Sequence, residues 1–280
     1  MPTNLGKLKL YLTKLSQKLP WKKGIIFFSV IFLGVWLSWT PNGLLGKADA
    51  IGYAVCHRID LRSFHLGDRQ IPLCARCTGQ YLGAMISLLF LAVFRPRRTA
   101  SPPWAIVAIM LLFAGFYALD GFNSYIHLIP QLSRFYLYQP SNTLRLVSGT
   151  GLGLGMGMLV FPAFNSTIWK KVDHRPVVQG TQDFMAILII AALVDFLVLT
   201  ENPLFLYPLA IVSASGVLVL LTLIYTMIVV IVSKNENAYE NFRQLTLMVI
   251  IGFIIALVQI SVLDVLRFIL TGTWDGFHFV

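Results

Sequence analysis

The sequence predicts an all-α, polytopic membrane bundle of about seven helices, and three observations predict it. Of the 280 residues, 57% are hydrophobic and only 12% are charged, about half the charged share of a soluble domain. Mean hydropathy is +0.75. Apolar runs long enough to cross about 30 Å of hydrocarbon recur along the whole chain, and no gap is long enough for a separate soluble domain.

The runs fall roughly at 24–40, 79–94, 104–120, 144–164, 184–200, 207–233 and 245–270, the second beginning nearer Leu73. Ahead of them, residues 1–23 read as an amphipathic helix on the cytoplasmic membrane surface. Leu8, Tyr11, Leu12, Leu15 and Leu19 recur at helical spacing among lysines, Thr3 or Asn4 could cap the start, and Pro20 ends it. A signal peptide cleaved at Ala48-Asp49-Ala50 is the rival reading; the polar stretch before that site is too long for it. Residues 24–280 form one transmembrane domain with a polar loop at 41–78. Trp21, Trp39 and Trp104 stand at span ends, where indoles anchor at the interface.

Charge sets the orientation. Fourteen of the 22 Lys and Arg precede span one or follow spans two, four and six, alongside only four acids; the other eight basic and eight acidic residues cancel. The positive face is the cytoplasmic one, so the N-terminus is expected inside, and the C-terminus and the 41–78 loop outside. The net charge of +10 thus has a membrane explanation. No basic run interleaved with aromatics points to nucleic acid.

The fourth run carries Gly149, Gly151, Gly153, Gly155 and Gly157, two small-xxx-small series for close helix contact in lipid. A phosphate-cradling loop would need a strand before it and a helix after it.

The loop holds all three cysteines, Cys56, Cys74 and Cys77, with His57 and His65. Thiols and imidazoles together point to metal ligation or thiol redox chemistry. A helix starting near Pro72 places Cys74 and Cys77 one turn apart, and its N-terminus favours thiolates. Cys56, Cys74 and Cys77 with His57 make a zinc-type Cys₃His set, with His65, or His127 from the next outer loop, as replacement for His57. The alternatives are a thiol–disulfide oxidoreductase with Cys74 and Cys77 as attacking and resolving pair, Cys56 as relay and a quinone partner, and a structural disulfide with a spare thiol. Thr78 after Cys77 excludes the c-type haem motif.

Ionisable residues inside spans cost about 2.5–3.5 kcal/mol each at mid-span. Asp120, Arg145, Asp195 and Asp264 all fall in outer halves. With Arg62, Arg76 and Asn142 they outline an outward-facing polar pocket roofed by the cysteine loop. Asp120 and Arg145 are the candidate catalytic pair for a lipid or lipid-linked substrate, or a buried ion pair; Asp264 and Arg267 have the spacing of a local salt bridge. Asp120, Asp195 and Asp264 would serve an ion-coupled transporter instead.

These motifs carry a resemblance. Cys56-His57, Arg62-Ser63-Phe64 and Pro72-Leu73-Cys74-Ala75-Arg76-Cys77-Thr78-Gly79, with Tyr81 and Gly83, resemble the signature of the domain of unknown function 2085 family. Asp120-Gly121, Asn142-Thr143-Leu144-Arg145 and Gly149 continue it, and the likeness covers about residues 50–160. Asn123-Ser124 stands where the family pattern has Thr-Gln. The resemblance implies a polytopic membrane protein of bacteria or archaea and implies no particular reaction.

Overall fold

The computed structural model describes residues 21–129, 131 and 133–275. The amphipathic segment expected at 1–23 lies almost wholly outside the described residues.

Eight α-helices follow in order among the described residues: α1 Trp21–Trp39, α2 Gly43–Val55, α3 Ala75–Phe94, α4 Trp104–Leu128, α5 Asn142–Ile168, α6 Thr181–Leu199, α7 Pro203–Val232 and α8 Phe242–Thr271. All except α2 are long and apolar enough to cross a membrane. They match the seven expected runs and extend most of them at the ends, because polar caps and Trp or Tyr collars are helical without being hydrophobic. Ser141 Oγ accepts from Leu144 N at 3.2 Å to start α5, and Asn241 Oδ1 accepts from Gln244 N at 3.1 Å to start α8. Gly272, at φ +71°, ends α8 in the left-handed turn that glycine adopts most readily.

Two expectations change. The 41–78 segment is not a loop throughout: its first third is α2, whose Gly46, Ala48, Ala50 and Gly52 are small enough to lie buried against α7 and α8. Asp49 therefore sits inside a helix. The second span begins at Ala75 with Cys74 as its N-cap, three residues later than a Pro72 start, so Cys77 is in the first turn.

The glycine series decide the packing. A Cβ on Gly149 would collide with the Arg76 carbonyl, one on Gly153 with the Gln80 carbonyl, and one on Gly157 with the Ser87 hydroxyl. From the other side, a Cβ on Gly79 would lie 2.8 Å from Thr150 N. The offset stays near seventy residues throughout, so α3 and α5 run parallel and in register along their length. A Cβ on Gly151 would lie 2.9 Å from the Phe113 side chain of α4, and one on Gly155 3.5 Å from that of Met110. One series faces α3 and the other α4, which makes α5 the most buried span.

Because α3 and α5 are parallel, both N-termini lie at the end that carries the cysteines. At the opposite end, basic loops are tied by ion pairs: Arg95 to Asp183 at 2.8 Å and Lys170 to Glu240 at 2.9 Å. A short parallel ladder joins β3, Arg98–Ala100, to β4, Asp173–Pro176. At the cysteine end the hairpin β1, His65–Leu66, and β2, Arg69–Gln70, turns through Gly67 at φ +63°.

Candidate functional site

The two ends of the loop meet because α2 and the strand-like segment before α3 pack backbone to backbone. A Cβ on Gly52 would overlap the Pro72 carbonyl. This contact sets Cys56, the C-cap of α2, against Cys74, the N-cap of α3. Cys56 Sγ accepts from Cys74 N at 3.3 Å and from Arg58 N at 3.5 Å. The Sγ atoms of Cys56, Cys74 and Cys77 all lie within 4.8 Å of one another, and all three cysteines are free thiols. Cys56 and Cys74 are buried; Cys77 is half-buried.

Arg267 of α8 holds the α2 end of this cluster. Its Nη1 donates to the Tyr53 and Cys56 carbonyls, each at 2.6 Å, and Nη2 to the His57 carbonyl at 3.2 Å. The guanidinium lies 4.1 Å from the centroid of the Tyr53 ring. A cation on the last carbonyls of a helix satisfies groups that have no partner within it. The guanidinium expected to pair with Asp264 donates to these carbonyls.

The electrostatics favour a thiolate. Hydrogen bonds from the Cys74 and then the Cys77 thiol hold Cys56 well below the usual cysteine range, against the opposing effect of burial. The same hydrogen bond to Cys56 pushes Cys74 up. Of the three, Cys56 is the sulphur most readily deprotonated, and the N-terminus of α3 beside it favours a thiolate.

No histidine joins the sulphurs among the described residues. His57 turns its Nδ1 to accept from Ile59 N at 3.1 Å. Burial holds the ring below its ordinary pKa, opposed by Cys56 and helped by Arg62, Arg76 and Arg145. His65 is on the hairpin, with Nε2 at 2.9 Å from Asp60 Oδ1. His127 packs on Tyr136. The expected fourth ligand is therefore missing from the group, because the α2 C-cap turns His57 away from Cys56, its neighbour in sequence.

Beside the cysteines is a polar network with a different pairing from the one expected. Asp120 does not pair with Arg145. Its Oδ2 accepts from Arg76 Nε at 3.1 Å and also from Arg76 Nη2, and its Oδ1 accepts from the Tyr138 hydroxyl at 2.9 Å. Burial, then the hydrogen bond to Asp120, push the Tyr138 hydroxyl up to about 12, so it stays a donor. Arg76 also reaches Ser124 Oγ at 3.0 Å, while Arg62 Nη2 donates to Ser124 O at 2.6 Å. Arg145 Nη1 donates to Asn142 Oδ1 at 2.8 Å, and Asn142 Nδ2 donates to Ser63 O at 3.2 Å. Asn123 is equally fixed, accepting from Leu137 N at 2.7 Å. The Asn123-Ser124 pair therefore has defined partners.

Arg62, Arg76, Asn142, Arg145 and Asp120 are brought together, with His57 near the arginines. Asp195 and Asp264 lie elsewhere. Asp195 Oδ1 accepts from Thr150 Oγ1 at 2.7 Å in a groove of about 430 Å³ between α4, α5 and α6, whose rim residues Phe116, Val147 and Phe196 face outward. Asp264 is fully buried on α8, and neither carboxylate oxygen has a hydrogen-bond partner among the described residues. Sequence reasoning missed Tyr138, Ser124 and Tyr53. Tyr138 lies in a loop without periodicity, and the other two are ordinary residues until tertiary contact gives them partners.

Residues 56–159 match the model of a family described as predicted membrane protein, DUF2085. An uncharacterized protein of Methanothermobacter thermautotrophicus is 31% identical over 106 residues, which cover 38% of this chain and 82% of that protein. The chain belongs to the DUF2085 family. No solved structure matches it. The matched segment of this DUF2085 protein runs from the end of α2 into α5. It contains the three cysteines, the three arginines, Asp120 and the parallel α3–α5 pair. Asp195 and Asp264 fall outside it.

Proposed function

We propose that this DUF2085 protein is a multi-pass protein of a bacterial or archaeal cell membrane that holds a zinc-class metal ion on Cys56, Cys74 and Cys77, above a polar pocket that takes a lipid-type substrate. The observation that carries the reading is the convergence of three sulphurs within 4.8 Å. Zinc bonds to thiolate at about 2.3 Å, so a tetrahedral site needs sulphurs about 3.8 Å apart, a small contraction of this cluster. The charge count of the loops supports an outside location for the cysteines and an inside location for the N-terminus. In that oxidising compartment free neighbouring thiols would pair unless a metal held them.

A bound ion would join the end of α2 to the start of α3 and close the 41–78 segment over the pocket. With three protein ligands it would also retain an open position, as Lewis-acid sites do. Asp120 we assign to holding Arg76, since both of its oxygens are engaged; Arg145, with donors to spare, is the better candidate to touch a substrate. Burial of Cys56 and Cys74 speaks against exchange with a bulky thiol partner, and the three buried aspartates share no partner that would make them one ion path.

The test is elemental analysis with free-thiol counting on protein purified without added metal. About one zinc per chain, lost in Cys56→Ser and Cys77→Ser, is expected. Metal-free protein whose dithiol cycles with a quinone would replace this reading with an oxidoreductase. Asp195-dependent flux in proteoliposomes would replace it with a transporter.

A further inference from the structure

We propose that the pocket beside the cysteines binds a phosphate group through Arg62, Arg76 and Arg145. This rests on the pocket reading above and names its ligand. Three guanidiniums arrive from three elements: the 3₁₀ turn Asp60–Arg62, the first turn of α3 and the first turn of α5. Ser124 ties two of them together, taking Arg62 on its carbonyl and Arg76 on its hydroxyl. Asn142 ties the third to the loop through Ser63.

The arginines are close enough to repel. Burial first, then the charges of Arg145 and Arg76, push Arg62 down to about 10. Asp120 counters them, and it is taken up by Arg76 and Tyr138. If three thiolates and a divalent ion are added, the sum remains positive by one charge. Buried like charges without an anion are strongly unfavourable, so the arrangement calls for a ligand to neutralise it.

Two further features point the same way. Arg145 is buried, and its Nε has no hydrogen-bond partner among the described residues. The parallel packing of α3 and α5 brings two positive helix ends to the same place, and helix N-termini favour oxyanions. A carboxylate has only two oxygens, and the two of Asp120 are filled by Arg76 and Tyr138. Three guanidiniums from three directions suit an anion with more oxygens, met by the N–H groups that Asp120, Ser124 and Asn142 leave over. The first turns of two spans lie at headgroup depth, where a lipid phosphate and a free phosphate present the same chemistry.

The experiment uses the full chain in detergent, with titration calorimetry of inorganic phosphate, of dihexanoyl phosphatidic acid, and of acetate as control. Zinc content is measured on the same samples. Both phosphate probes are expected to bind and acetate not. Arg145→Gln and Arg62→Gln are each expected to weaken binding about tenfold or more with zinc content unchanged. Arg62→Gln, in the loop, serves if the Arg145 variant fails to fold. Phosphatidic acid binding about tenfold tighter than inorganic phosphate identifies a lipid headgroup; equal affinities identify free phosphate. Zinc-containing protein that binds neither probe, or variants that bind like wild type, overturns the proposal. Phosphate binding by protein that holds no zinc overturns the metal reading alone.

Discussion

Gly149 and Arg76 stand backbone to backbone: a Cβ at position 149 would run into the Arg76 carbonyl. Arg76 lies between Cys74 and Cys77, and its guanidinium is bound to Asp120. One glycine on α5 thereby sets the distance between the cysteine cluster and the polar network. It also fixes the parallel register that brings two helix N-termini to the site.

Gly149→Ala is expected to destabilise the protein by about 1–3 kcal/mol, because the backbone it meets has little room to retreat. Gly115→Ala, on α4 with nothing within 4 Å of the new methyl group, is the control. Thermal unfolding in detergent should show a lowered Tm for the first variant and an unchanged Tm for the second.

Arg267→Gln removes the cation that takes the carbonyls of Tyr53, Cys56 and His57. Its loss should loosen Cys56 and weaken metal retention by about 10–100-fold, the usual effect of removing a group that orients a ligand. Arg267→Lys should not restore it, since an ammonium cannot spread over three carbonyls and the Tyr53 face. Competition with a zinc chelator measures both.

His65→Ala should leave metal content unchanged and move stability by no more than about 0.5 kcal/mol, because its partner Asp60 is a solvent-exposed carboxylate. Loss of zinc in this variant would return His65 to the ligand set.

Asp264→Leu should keep or raise the Tm. A fully buried carboxyl group whose oxygens lack hydrogen bonds among the described residues destabilises the fold, and an apolar side chain of similar size removes that penalty. A lowered Tm would show that the carboxyl group makes a stabilising contact.

Arg62 offers a pH test. Its folded pKa lies near 10, below the ordinary arginine value, so above pH 10 the unfolded chain holds more protons than the folded one and stability gains with rising pH. At neutral pH the repulsion acts in full, and Arg62→Gln should raise the Tm in phosphate-free buffer by relieving it. A lowered Tm in that buffer would mean that its bond to Ser124 O outweighs the repulsion.

The spans, their number and the cysteine motif were legible in the sequence, because bilayer thickness and the scarcity of charge impose a pattern any window can detect. The glycine series were legible too, since spacing alone shows which residues share a helix face. Helix α2 was not: at 13 residues with a lysine and an aspartate, it has no membrane-length signal and is held by packing on α7 and α8. The pairing of charges was also hidden. Asp120 and Arg145 lie at matching depths, yet depth says nothing of azimuth, and Arg76 on the adjoining face of α3 takes the carboxylate. By itself, then, the sequence determined a seven-span helical protein with three thiols in one polar segment. Tertiary structure alone decided that those thiols meet without a histidine, and that three arginines gather beside them. The physical reason is the close approach of Gly52 to Pro72 and of Gly149 to Arg76, which fixes the facing sides of helices that sequence can only place in depth.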